Sequence, residues 1–224
     1  MKRAILASLL LPSALFAAAP APVPPAGRPS ASGAGESLDP RAAFGGSGGV
    51  FTSHADNLVT NDHNGRPDVF FADLNQFRVE LVSVATNGRA ALGASRDARV
   101  SYDGRRVVFV SDAPDLAPGD TNGVADLFLR DRAAGTTTLL TPGADGPSGE
   151  PELTPDGHHL VFTSAASNLV PGDTNRLPDA FLLTLTNGVL TRLSAPALAG
   201  RPAGESGGAR LSGNGGTAVF PAEG

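Results

Sequence analysis

Three times the chain spells the same short strand, and a fourth time it begins to. The copies are Val50-Phe51-Thr52-Ser53, Val108-Phe109-Val110-Ser111, Val161-Phe162-Thr163-Ser164, and then Val219-Phe220. Their phenylalanines are 58, 53 and 58 residues apart. A second landmark follows each of the first three at a fixed distance. Asp62, Asn64 and Asp68 precede Phe70; Asp120, Asn122 and Asp126 precede Phe128; Asp173, Asn175 and Asp179 precede Phe181. Two landmarks recurring in register mean that one structural unit is repeated. A unit of this size cannot bury its own apolar faces and must stack on its neighbours.

Each unit reads as four short strands. In the second, Arg99 to Ser101 is expected to be a short strand, and Asp103-Gly104 a tight hairpin turn, since glycine accepts the positive φ such turns need. Arg106 to Ser111 carries the unbroken apolar run Val107-Val108-Phe109-Val110, the mark of a strand buried on both faces. A loop rich in Pro, Gly, Asp and Asn leads to a strand at Asp126 to Asp131. A turn at Ala134-Gly135 then gives the Thr-rich stretch Thr136 to Thr141, of high β propensity. In the third unit the last turn is Asn187-Gly188, a strong hairpin signal. No sustained helical periodicity follows the N-terminal region. With 28 Gly and 19 Pro in 224 residues, the composition suits many tight turns. The expected fold class is therefore all-β, with β-propeller blades of four antiparallel strands in an incomplete or open propeller.

The blade sequences are also familiar. Leu153-Thr154-Pro155-Asp156-Gly157 followed by Leu160-Val161-Phe162-Thr163-Ser164 resembles the blade signature of TolB-like and WD-repeat-like propellers. So does Ser101-Tyr102-Asp103-Gly104 followed by Val107 to Ser111. The resemblance covers residues 40 to 224 and specifies a blade type, not a function. It implies a periplasmic interaction platform or a propeller domain attached to a hydrolase. Propellers close with about four to eight blades, and this chain shows three units and the first half of a fourth. A truncated reading frame, completion by self-association through open blade edges, and a partner that supplies blades are the three expectations this raises.

The N-terminus reads as an export signal. Lys2 and Arg3 precede an apolar stretch from Ala4 to Ala18, with Ala17 and Ala19 in an Ala-x-Ala arrangement. The organisation expected is a signal peptide at 1–19 and a flexible Ala/Pro/Gly linker at 20–38. Blades follow at 39–95, 96–150 and 151–205, with a partial blade at 206–224. The location is periplasmic or secreted, with no membrane span in the mature chain. There is no cysteine, so disulfides, thiolate metal sites and cysteine nucleophiles are excluded. Net charge is −5 with no basic cluster, which argues against nucleic acid as a partner.

The repeated acidic loop is the best candidate for binding chemistry. Asp62, Asn64 and Asp68, with Asp120, Asn122, Asp126 and Asp173, Asn175, Asp179, offer oxygen ligands that could wrap a hard cation such as Ca²⁺. The other reading is turn chemistry, in which Asp and Asn side chains bond to nearby backbone N–H groups. Arg176 replaces the glycine of the other two loops. Gly45-Gly46-Ser47-Gly48-Gly49 matches the letters of a nucleophile elbow, but that motif needs a strand before it and a helix after it. His54, His63, His158 and His159 show no metal-binding spacing, and His158-His159 reads as a solvated turn. Ser53, Ser111 and Ser164 recur in every unit, which favours a structural hydrogen bond over catalysis. The function expected is an exported, non-catalytic scaffold for a protein partner. Its alternatives are the propeller portion of a larger secreted hydrolase and a calcium-stabilised extracellular repeat protein.

Overall fold

The computed structural model describes residues 35–43, 45–46, 48–174, 177–194 and 208–219. The signal peptide, most of the linker, Ser47, Asn175, Arg176 and Phe220 lie outside the described residues.

Fourteen strands and no helix are found among them. Sheet one contains β1 (Ser37–Ala42), β2 (Gly48–Ser53), β3 (Asp68–Asp73) and β4 (Arg78–Leu81). Sheet two contains β5 (Ser95–Val100), β6 (Arg106–Ser111), β7 (Asp126–Asp131) and β8 (Thr136–Leu139). Sheet three contains β9 (Ser148–Leu153), β10 (His159–Ser164), β11 (Asp179–Thr184) and β12 (Val189–Arg192). A two-stranded sheet of β13 (Arg210–Leu211) and β14 (Ala218–Val219) follows. Each four-stranded sheet is an antiparallel meander in chain order. These are open propeller blades of the expected kind.

The repeated phenylalanines fall on paired positions. Phe51 faces Phe70, Phe109 faces Phe128, and Phe162 faces Phe181 across the second and third strands. Their rings stack at 5.6, 5.8 and 5.5 Å between centroids. Each such pair adds about 0.5–1.5 kcal/mol beyond its buried area. The stack of sheet two then packs on sheet one. Phe109 and Phe128 join Val50, Val69 and Phe71 in one apolar cluster. The pattern recurs one sheet on, where Phe162 and Phe181 join Val108, Val110 and Leu127. This explains the unbroken Val107–Val110 run: alternate residues serve opposite interfaces, and all four are buried. Ion pairs also cross between sheets. Arg99 meets Glu152 at 3.1 Å, and Arg132 meets Glu80 at 2.8 Å while lying over the Phe71 ring.

Three strand limits differ from the sequence reading. The first strand of sheet two runs Ser95–Val100 rather than Arg99 to Ser101, because it is bulged and its polar residues hide its extended course. The bulge recurs at Asp39, Asp97 and Glu150, with φ of 52, 54 and 52°, and Gly208 takes the same position before β13 at 60°. The last strand of sheet two stops at Leu139, short of Thr141, because Thr141 turns its hydroxyl to Asp126 instead. β1 begins at Ser37, two residues inside the stretch assigned from sequence to the linker.

Candidate functional site

Asp68, Asp126 and Asp179 each open the third strand of their sheet, and all three are buried. A buried carboxylate needs donors, and the repeat supplies them. Asp68 Oδ1 accepts from the Ser83 hydroxyl at 2.6 Å, and its Oδ2 accepts from the Asn64 amide at 2.6 Å. Asp126 is held the same way, by Thr141 at 2.6 Å and Asn122 at 2.8 Å. Asp179 accepts from Ser194 at 2.5 Å. The Ser83 and Thr141 hydroxyls in turn accept the backbone N–H of Val69 and Leu127.

The asparagines act as donors and turn-formers. Asn64 gives its amide to Asp68 and to the Ala91 carbonyl, while its Oδ1 accepts the Arg66 N–H. Asn122 gives its amide to Asp126 and the Ala144 carbonyl, and its Oδ1 accepts the Val124 N–H. Each network ties a loop to the start of a strand and to the connection leading into the next sheet. Hydrogen bonds to a charged partner contribute about 1.5–3 kcal/mol each.

The first carboxylate of each loop is treated differently in the three units. Asp62 is 1% exposed, and neither of its oxygens has a hydrogen-bond partner of ordinary geometry among the described residues. Burial pushes its carboxyl upward, opposed by the nearby Asn64 backbone N–H. Burial also pushes Asp68 up to about 7; Ser83 and Asn64 pull against it, and the charges of Asp62 and Asp115 add to it. Asp120 keeps 9% exposure, and its carboxyl is raised by burial and then by Asp126. In the third unit Arg192 lies between the two carboxylates, 3.2 Å from Asp173 and 3.1 Å from Asp179. The register that holds Arg192 holds Leu81 in sheet one and Leu139 in sheet two. Among the described residues, no three His, Asp or Glu side chains converge on a point.

Sequence reasoning located the acidic loops but missed Ser83, Thr141, Ser194 and Arg192. A signal existed for the hydroxyls: each lies 15 residues after its aspartate. The recurrent Ser53, Ser111 and Ser164 make structural bonds. Each pairs with a first-strand serine at 2.9–3.0 Å and accepts a backbone N–H two residues on. His54, His63 and His158 are exposed, whereas His159 starts β10 and is half-buried. Gly46, at φ 68°, lies in the β1–β2 connection, so strands flank that glycine stretch on both sides.

One surface breaks the repeat. Sheet one has an apolar groove of about 410 Å³, lined in part by Leu38, Pro40, Ala42, Phe51 and Leu74. The residues matching Pro40 and Ala42 are Ala98 and Val100 in sheet two, buried against sheet one. In the β3–β4 hairpin, Leu74 is 57% and Phe77 75% exposed. Phe77 has φ 51°, where the matching hairpins carry Gly135 and Gly188.

Stacked four-stranded meanders with phenylalanine pairs at every interface define an open array of TolB-like β-propeller blades. Solved structures of the same fold include TolB from Acinetobacter baumannii, with TM-score 0.50 and 19% identity over 83% of this chain and 37% of that one. The putative TolB from Agrobacterium tumefaciens matches at TM-score 0.53 and 15% identity, over 83% of this chain and 53% of that one. A structure from a study of two prolyl endopeptidases matches at TM-score 0.51 and 14% identity, over 84% of this chain and 26% of that one. The chain thus spans about a third to a half of the TolB chains it matches. No family model and no curated protein matches the sequence. No helix among the described residues is long and apolar enough to cross a membrane.

Proposed function

We propose that this chain is an exported, non-catalytic propeller segment whose first sheet docks a protein partner. The observation that carries the reading is the apolar face of sheet one. In sheet two the residues matching Pro40 and Ala42 are buried against the preceding sheet, whereas in sheet one every residue of β1 is exposed and Leu38, Leu74 and Phe77 meet water. A contiguous exposed apolar patch is the ordinary mark of an interaction surface. Phe77 adds to the argument, because a bulky residue in the left-handed region costs about 1–2 kcal/mol that glycine avoids. That cost is kept at the one hairpin whose tip is aromatic. The signal-like N-terminus supports export to the periplasm or the medium.

The test is photo-crosslinking from p-benzoylphenylalanine placed at Leu74 or Phe77 in the native host. The reading expects a covalent adduct with a partner in the exported fraction, lost on Phe77→Asp when the probe is at Leu74. An unmodified chain, or one confined to the cytoplasm, would count against it. A second copy of this chain can cover the same face, and sedimentation of the purified protein separates that case.

A second reading is the propeller portion of a larger secreted hydrolase. The fold likeness to a prolyl endopeptidase, of which this chain matches 26%, is what favours it. Immunoblotting for a species much larger than 22.6 kDa in the host decides between them.

A further inference from the structure

The third unit shows what the gap between the two loop aspartates takes. There Arg192 reaches both carboxylates at 3.1–3.2 Å, so a positive charge lies between the first and last aspartate of the loop. The first unit places the same two carboxylates in the same frame, with Leu81 at the register of Arg192. Asp62 and Asp68 are both buried, and no arginine compensates either of them among the described residues. Asp68 has its hydroxyl and amide donors, but neither Asp62 oxygen has a hydrogen-bond partner of ordinary geometry, the Asn64 backbone N–H being the one donor nearby. A third such oxygen, the buried Oδ2 of Asp115, belongs to a carboxylate whose charge also acts on Asp68.

A buried charge without donors or a counter-ion is not a stable arrangement. The second unit eases it, since Asp120 is less deeply buried, at 9% exposure against 1% for Asp62. The third avoids it through Arg192. The first does neither with its own side chains. We infer that the gap between Asp62 and Asp68 binds a hard divalent cation, Ca²⁺ being the probe, in the place that the Arg192 guanidinium holds in the third unit. Asp62 supplies its two oxygens, and Asp68 supplies lone pairs left by Ser83 and Asn64. Backbone carbonyls and water complete the six to eight oxygens such an ion takes. Asn64 is not a ligand, since its amide nitrogen faces Asp68 and its oxygen accepts a backbone N–H. The inference is independent of any partner on sheet one.

The test uses the full-length chain, stripped with EDTA and returned to Ca²⁺. Equilibrium dialysis with metal analysis reads stoichiometry, and thermal melting reads stability. One Ca²⁺ per chain is expected, with the melting temperature rising by about 5–10 °C at a hundredfold excess over Kd. Asp62→Asn should abolish both effects. Leu81→Arg, which copies the third unit into the first, should abolish binding while melting in EDTA at or above the wild-type EDTA value. If Leu81→Arg does not fold, Asp62→Asn decides alone. Wild-type protein that retains no Ca²⁺ and melts identically in Ca²⁺ and EDTA overturns the inference. So does binding that survives Asp62→Asn.

Discussion

Phe51 and Phe109 occupy the same place in their sheets, each stacked on a cross-strand phenylalanine, at 5.6 and 5.8 Å. They differ in what lies on the other side. Phe109 is fully buried against Val50, Val69 and Phe71 of the preceding sheet, whereas Phe51 faces the open groove and is only partly buried. Replacing each by alanine therefore compares one residue with and without a neighbouring sheet. Phe109→Ala loses the ring stack, the buried area and the packing around a cavity, about 3–5 kcal/mol. Phe51→Ala loses the same stack but less burial and leaves no closed cavity, so about 1–2 kcal/mol is expected. The difference, about 2 kcal/mol, is the contribution of sheet-on-sheet packing at this position. In urea, with a slope of about 2 kcal/mol per M, it appears as midpoints separated by about 1 M. Equal losses at the two positions would show that the sheets do not depend on each other, and the stacking argument would fail.

Four further outcomes follow from the same structure. Arg192→Leu, which copies the register of the other units, strips the counter-charge from Asp173 and Asp179 and should cost about 3–5 kcal/mol in urea unfolding. Thr141→Val removes a donor from Asp126 and an acceptor from Leu127 N–H, a loss of about 1–3 kcal/mol by the same assay. Phe77→Asn suits the left-handed backbone better and should raise stability by about 0.5–1 kcal/mol while lowering partner capture from sheet one. The Arg105 guanidinium holds Asp131 well below the usual carboxylate range, at about 2. Since that value is below the unfolded 3.8, the stability it contributes is present above about pH 4 and lost as pH falls through 2. The pair is exposed, so acid titration of Arg105→Ala should differ from wild type only slightly, and the difference should vanish in about 1 M salt.

The sequence made the repeat, the two-faced strands and the hairpins legible because each rests on local chemistry: glycine at the turns, and an apolar run where a strand has neighbours on both sides. β6, β7 and β10 were readable for that reason. β5 was not, since Ser95-Arg96-Asp97 is polar and bulged, and only its pairing with β6 reveals it. The acidic loops were equally visible, but their partners were not. Spacing alone leaves Asn64 open as an oxygen ligand, and only the fold shows its amide nitrogen turned to Asp68. Arg192 could not be linked to Asp173 and Asp179 without the register of β11 and β12, which carries the side chain between them. The exposed hairpin at Leu74 and Phe77 was unmarked because its meaning lies in comparison with Gly135 and Gly188 at the same turn.

Amide hydrogen exchange on the native protein probes the mutual support of the sheets at every strand at once. Protection should follow the number of covered faces: slowest in β6 and β7, which have a sheet on each side, faster in β2 and β3, and fastest in β13 and β14. Uniform exchange across the three large sheets, or greater protection in sheet one than in sheet two, would show that each blade stands without its neighbours.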